Sequence, residues 1–395
     1  SVSVKEYTSA DMDVTRATDA TRVDEAGLIK DVLSNVPRID YTGGGCPHIL
    51  AEPQRTNLIT YSEDLTNGFY LKTGIETVTE STTFSPDGTS YGYTIIPTSA
   101  TSSHFFDYQY LQLTVAIGVD VTYSVFIKPN GYNFIQIASS TGFASKFQNF
   151  ELTGDGVIGT GDVDGKTIEK IGDYYRVSVT QVSTGANPRF LLIPSPTALA
   201  TRNASFTGNG TDGVLGWGSQ VEVGSYATSY IPTSGSTVTR NQDIFTRDGI
   251  GSLINSTEGV LFVEMAALVE VDSARRHITL NDGGASNKVV IRYESTGVIT
   301  ARYDIGGSAQ ASIAFATTIT NSHKIAFKYK ENDFALWVDG TEVGTDTSGS
   351  VLSANTINKL SFDSGNGTFP FFGKVKQLQV YKTALTDAQL TSLTS

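Results

Sequence analysis

Residues 122–140 read TYSVFIKPNGYNFIQIASS, with Tyr123, Val125 and Ile127 alternating with Thr122, Ser124 and Phe126. A period of two sends neighbouring side chains to opposite faces of an extended strand. It cannot assemble the apolar stripe of a helix. The rhythm returns in YYRVSVTQV (174–182), which sets Tyr175, Val177 and Val179 on one side, and again in NPRFLLIPS and VLGWGSQVEVG. Beyond residue 258 it resumes in GVLFVEMAALVEVD, KVVIRYES, VITARYDIG, HKIAFKYKENDFALWVDGTEVG, INKLSFDS and GKVKQLQVYK. GVLFVEMAALVEVD is long enough for a helix, but its valines and the hairpins after it favour a strand. Many short strands separated by polar turns predict an all-β chain of the β-sandwich or jelly-roll kind. Asn130-Gly131 is expected to close a tight hairpin, since both central residues of that turn want positive φ.

The 395 residues suffice for two domains, and the 39 glycines, 18 tyrosines and 20 phenylalanines suit strands and turns. The expected division is an irregular N-terminal segment, 1–55, then a sandwich, 56–232, a Thr/Ser/Gly-rich connector, 233–257, and a second sandwich, 258–395. Within 1–55, VDEAGLI predicts a small hairpin around Ala26-Gly27, and Asn35-Val36-Pro37 breaks any helix. One short helix is expected near the end, in LTDAQLTSL. Thr386 is its N-cap, Gln389 completes a capping box, and Leu385 and Leu390 pack the turn onto the sandwich.

Charge and special residues exclude several classes. Acidic residues exceed basic ones by 12 and no Lys/Arg cluster stands out. That argues against nucleic acid and anionic membrane surfaces as partners. No apolar run approaches the 18 or so residues of a membrane span, and the first 16 residues lack the apolar core of a signal peptide. The single cysteine, Cys46, excludes an intrachain disulfide and is expected to pack as a small hydrophobe. The four histidines show no metal-binding spacing. Glycoside hydrolysis needs two carboxylates. The best pair is Glu270 and Asp272, at i and i+2 of an expected strand and so roughly 6.6 Å apart, with Glu264 on the same face. A solvated strand face is the reading preferred for them.

Sugar recognition needs exposed aromatics beside hydrogen-bonding side chains. The candidates are His104, Phe105, Tyr108 and Tyr110 of HFFDYQY, Tyr132 and Phe134 beside the Asn-Gly turn, and Phe369 and Phe371 in GNGTFPFF. Core packing is the alternative for each. It is the preferred reading for Trp217 and Trp337.

Two resemblances follow. FALWVDGTEVG (334–344), LSFDSG and GKVKQLQVYKTALTDAQL resemble the concanavalin A-like, laminin G-type lectin and glucanase sandwich. The chain departs from the E-x-D-x-x-E arrangement of the glucanases, so no catalytic residue is carried over. No cofactor is expected. The likeness makes calcium the one ion to consider, with Asp155, Asp162 and Asp164 in TGDGVIGTGDVDGKT as candidate ligands and plain hairpin turns as the other reading. Three further runs resemble head-spike, head-fibre and tail-fibre proteins of tailed bacteriophages: PRIDYTGGGCPHILAEPQRTNLITYSEDLTN (37–67), SPDGTSYGYTI (85–95) and WGSQVEVGSYATSYIPTSGSTVTR (217–240). They frame a jelly roll similar to carbohydrate-binding modules. In the last run Tyr226 and Tyr230 are the expected anchors, and Ile231-Pro232 sets the exit. The resemblance implies a non-enzymatic virion-surface fibre or spike, homotrimeric, joined to other virion proteins through its N-terminal segment and adhering to host polysaccharide. A depolymerase or lyase and a purely structural capsid decoration protein are the alternatives.

Overall fold

In the computed structural model, residues 12–108, 113–270 and 274–395 are described. The chain is all-β, built as two sandwiches, with one α-helix among the described residues, Asp387–Thr394. The first sandwich packs two six-stranded sheets. Asp120–Asn130 lies between Tyr174–Val182 and Gly213–Val223 in one sheet; Phe134–Ser139 lies between Phe147–Glu151 and Phe190–Ser195 in the other. The core faces carry Tyr123, Val125, Ile127, Tyr175, Val177 and Val179, as their alternation predicts.

The Asn130-Gly131 hairpin does not form. Asp120–Asn130 and Phe134–Ser139 belong to opposite sheets, so the chain here crosses the sandwich edge. Gly131 has φ +95° but Asn130 is not in the left-handed region, so the two-residue turn cannot be made. Tyr132, only 4% exposed, plugs the core at the crossing. Asp339-Gly340 does close such a turn, with φ of +48° and +81°, between Phe334–Val338 and Thr341–Asp346.

The second sandwich packs two seven-stranded sheets, and both take strands from the N-terminal stretch. Asp13–Thr15 pairs with Ile244–Arg247 at the edge of one sheet. His48–Ala51 pairs with Gly373–Tyr381 in the other, and Ile39–Asp40 follows it. The expected irregular segment therefore contributes three short strands to the sheets of the second sandwich. Alone it has too little apolar surface to bury, whereas an open sheet edge offers unpaired backbone groups. The expected hairpin around Gly27 forms from Ala20–Val23 and Ile29–Val32. Ile29 and Val23 pack with Phe126, Trp217 and Tyr230 on the outer face of the first sandwich. Phe126 thus has a second core to enter, and Asp120–Asn130 is buried on both faces over most of its length.

A cluster of five charged side chains ties these parts together. Asp243 accepts from Arg16 Nη1 (2.8 Å), from Arg38 Nη2 and from the Glu52 amide (2.9 Å). Glu52 in turn accepts from Arg38 (2.6 Å) and the Ser229 hydroxyl (2.7 Å) and pairs with Arg240 (2.7 Å). No side chain in the cluster is more than 4% exposed. Burial works against the charged form of Glu52, but Arg240 and Arg38 outweigh it and hold the carboxyl below its usual range.

The helix starts as expected: the Thr386 side chain and Gln389 form the capping box. Leu390 and Leu385 join Trp337, Val260 and Phe262 beneath it. Trp217 is buried with Phe126 and Tyr230. Tyr230 anchors the exit run, with its hydroxyl 2.7 Å from Ser62 Oγ, and Tyr226 lies beneath the Arg55 guanidinium. Cys46 is exposed rather than packed, because the run of three glycines before it forms a protruding turn.

Candidate functional site

The outer face of one sheet of the second sandwich carries the arrangement best suited to a polar ligand. Arg276–Asn281, Lys288–Tyr293 and Val298–Ile305 are neighbours, and their inward residues, such as Ile278, Ile291 and Tyr303, fill the core. Alternation then places His277, Thr279 and Asn281, Lys288 and Arg292, and Thr300, Arg302 and Asp304 on the outer face. Register sets His277 opposite Arg292, and Arg292 opposite Thr300. Side chains so placed are about 4.5–5.5 Å apart at Cβ.

A loop following Lys359–Ser361 closes one side of this face. His277 and Pro370 form an isolated bridge, and the His277 amide donates to the Phe369 carbonyl (3.1 Å). The Phe369 ring stacks on His277 at 5.1 Å and 24° and is 41% exposed. Phe369 also has φ +53°, a conformation that costs a bulky side chain of order 1–3 kcal/mol. The strain turns an aromatic ring outward. His277 is buried, yet neither ring nitrogen has a hydrogen-bond partner. Burial, then Arg292, Lys288, Arg275 and Arg302, lowers its pKa to about 3, so the imidazole is neutral at pH 7. Buried polar atoms are almost always bonded, and these two ring nitrogens, beneath a half-exposed aromatic ring, have no partner among the described residues.

Four cations surround the histidine. Arg292 pairs with Glu294 (2.6 Å), as does Arg275 (2.6 Å); Arg302 pairs with Asp304 (2.7 Å), and Lys288 lies 3.9 Å from it. On a chain of net charge −12 this is a local excess of positive charge.

The other sequence candidates fall elsewhere. His104 is fully buried, and its ring nitrogens approach the carbonyls of Gly74 (2.6 Å), Ala100 (3.1 Å) and Phe206 (3.0 Å). Tyr108 and Tyr132 are buried in the first core, where Tyr108 donates to the Pro188 carbonyl (2.8 Å). Phe371 is buried in the second core, beside Phe362. These four present no ring face to solvent; the pull of the core outweighed the polar company they keep in sequence. Phe105 and Phe134 are half-buried, Phe105 against a small satellite core. Tyr110 and Asp272 lie outside the described residues.

Glu270 is not on a strand. Glu258–Ala267 ends before it, and the Glu270 carboxylate accepts from the amides of Ile319 and Thr320 (3.3 Å each), latching a loop. Glu264 is held by Lys376 (3.4 Å) and Ser322 (3.3 Å). Asp155 is exposed in a turn, Asp162 accepts from the Phe147 amide (2.9 Å), and Asp164 pairs with Lys146. No group of three metal-ligating side chains occurs among the described residues. No helix among them is long and apolar enough to cross a membrane.

Residues 265–391 match the family described as the Concanavalin A-like lectin/glucanases superfamily. The match spans most of the second sandwich, including the Phe369 face. No curated protein matches the chain. Among solved structures, the chain is similar to the Ruminococcus gnavus IT-sialidase CBM40 bound to alpha2,3 sialyllactose (16% identity, 35% of this chain and 83% of that one, TM-score 0.29). It is also similar to domains LG4-5 of the mouse laminin alpha1 chain (9% identity, 67% and 83%, TM-score 0.27). A third is the Trypanosoma rangeli sialidase in complex with the inhibitor DANA (8% identity, 96% and 94%, TM-score 0.28). Scores this low carry no inference about a ligand.

Proposed function

We propose that this protein is a non-enzymatic glycan-binding adhesin whose second sandwich holds saccharide on the Phe369–His277 face. One observation carries the reading: an exposed, conformationally strained aromatic ring stacked on a buried histidine with two unbonded nitrogens, amid Arg292, Lys288 and Arg302. A sugar ring would lie on Phe369 and direct hydroxyls or an anionic substituent toward the cations. The lectin-type family match to residues 265–391 supports this reading.

The three runs that resemble tailed-phage proteins support a role on the virion surface, as a homotrimeric fibre or spike. The attachment surface in this reading is the N-terminal stretch, where Leu33 and Val36 are 68% and 43% exposed. The test mixes the full chain with a panel of bacterial surface polysaccharides and follows protein co-elution and polysaccharide length by size exclusion. Co-elution with intact polysaccharide, lost in Phe369→Ala, is the expected result. Shortened polysaccharide would make the protein an enzyme. Absence of co-elution across a panel that includes the host would favour a structural decoration role.

A further inference from the structure

A second site lies where the N-terminal hairpin and both sandwiches meet. The cavity there is about 430 Å³, and its walls include Glu52, Glu169, Arg176, Tyr226, Leu268 and Lys374. That size is within the range of small-molecule sites, which favour crevices between domains. Glu169 and Arg176 come from adjacent strands of the first sandwich, Gly165–Ile171 and Tyr174–Val182. Lys374 comes from Gly373–Tyr381 of the second. The cavity therefore exists only while the two sandwiches are docked.

Some of its charges are already used. Glu52 is consumed by Arg38, Arg240 and Ser229, and Asp40 accepts from the amides of Val23 and Thr42 (2.8 Å each). Others are not. Glu169 accepts no hydrogen bond from the described residues, and Lys374 donates none to them. The Nε of Arg176 is buried without a partner, although Nη2 donates to Ser124 (3.1 Å) and the guanidinium lies 5.2 Å over the Phe126 ring. Lys374 and Arg176 are both within electrostatic reach of Glu169, yet burial still raises its carboxyl pKa. Glu169, Arg176 and Lys374 are half-buried and face one cavity without a salt bridge among them. Arg176 also faces the carboxylates of Glu222 and Glu52, and Arg22 and Asp40 line the same cavity, so the lining as a whole is close to neutral; what the Lys374 ammonium still lacks is an acceptor, and an anionic one suits it best. The Glu169 carboxylate calls for hydroxyl donors, and the Leu268 and Tyr226 walls call for a carbon skeleton.

We propose that this interdomain cavity binds a polyhydroxylated monocarboxylate of sugar size, with its carboxylate on Lys374 and Arg176, its hydroxyls donating to Glu169, and its skeleton against Leu268 and Tyr226. The site is independent of the Phe369 face. Isothermal titration of the full chain at neutral pH, with D-glucuronate, D-gluconate and D-glucose in turn, tests it. At least one carboxylate binds about tenfold or more tighter than glucose. Lys374→Met weakens that binding about tenfold or more, Lys374→Arg retains most of it, and Leu268→Trp, which fills the cavity, abolishes it. Phe369→Ala leaves it unchanged, so failure here and failure of the lectin reading are told apart. Melting temperatures of the variants report folding separately. Glucuronate alone means the ring is read, and gluconate alone means the open chain; either upholds the proposal. No binding of either carboxylate, or wild-type affinity in a folded Lys374→Met, overturns it.

Discussion

Asp243→Asn is the most informative single change for how the parts of this chain are held together. The substitution keeps the shape of the side chain and removes its charge. In the native protein one oxygen takes Arg16 Nη1 at 2.8 Å, and the other takes Arg38 and the Glu52 amide. Neither Arg16 nor Asp243 has any side-chain exposure. The variant keeps one accepting oxygen but turns its amide hydrogens either toward Arg16 or toward Arg38 and the Glu52 amide, and it removes the one anion paired with Arg16 where water cannot reach. Breaking a buried pair in this way costs about 3–5 kcal/mol. Unfolding entropy near 2.1 cal/mol/K per residue gives about 0.8 kcal/mol/K for a chain this long, so the melting temperature should fall by about 4–6 °C. Scanning calorimetry measures this against Asp155→Asn, an exposed control. Because the cluster joins the N-terminal strands to both sandwiches, the wild type should melt in one transition. A loss no larger than that of the control would refute the idea that this cluster, rather than apolar packing alone, locks the junction. So would a second transition already present in the wild type.

Other outcomes follow from single groups. Glu52 is held below 4.5 when folded, so it binds more protons unfolded; its contribution is complete well above 4.5 and is lost progressively as pH falls below that value toward the lower folded one, so acid-titrated unfolding of Glu52→Gln should be flatter than that of wild type, and an equal slope would refute it. His277, near 3 when folded and 6.5 otherwise, also binds its proton first in the unfolded chain, so stability declines as pH drops from 6.5 toward 3; His277→Gln should flatten that limb of a melting-temperature profile, and an unchanged slope would refute it. Phe369→Gly should relieve the positive φ and keep or raise stability by about 1 kcal/mol while abolishing polysaccharide co-elution; a marked loss of stability would mean the ring packs rather than binds. Thr386→Ala should cost about 1 kcal/mol in denaturant unfolding through loss of the capping box, and no change would mean that Leu390 alone holds the helix.

The local period of two was enough to establish the all-β class and the inward faces of Asp120–Asn130 and Tyr174–Val182, and the Thr386/Gln389 capping box was enough for the terminal helix. Each of these depends on residues within a few positions of one another. Alternation also separates His277, Thr279 and Asn281 from their core-facing neighbours, and does the same for Lys288 with Arg292 and for Arg302 with Asp304. It does not say that these strands lie side by side. Only the sheet register gathers those charges around one histidine, and only the loop through Pro370 brings Phe369 onto its ring. Composition pointed instead to HFFDYQY, of which the fold buried His104, Phe106 and Tyr108. Asn130-Gly131 failed as a hairpin for a related reason: a turn dipeptide states a local preference, whereas Tyr132 is worth roughly 1.5–3 kcal/mol when buried at the sandwich edge. The N-terminal stretch contains nothing to announce that it pairs with strands more than 200 residues away, as Asp13 does with Thr246. Edge pairing is made of backbone hydrogen bonds, which any sequence can offer. Which edge is left open is decided by the rest of the fold, and so are the buried charge cluster and the cavity between the sandwiches.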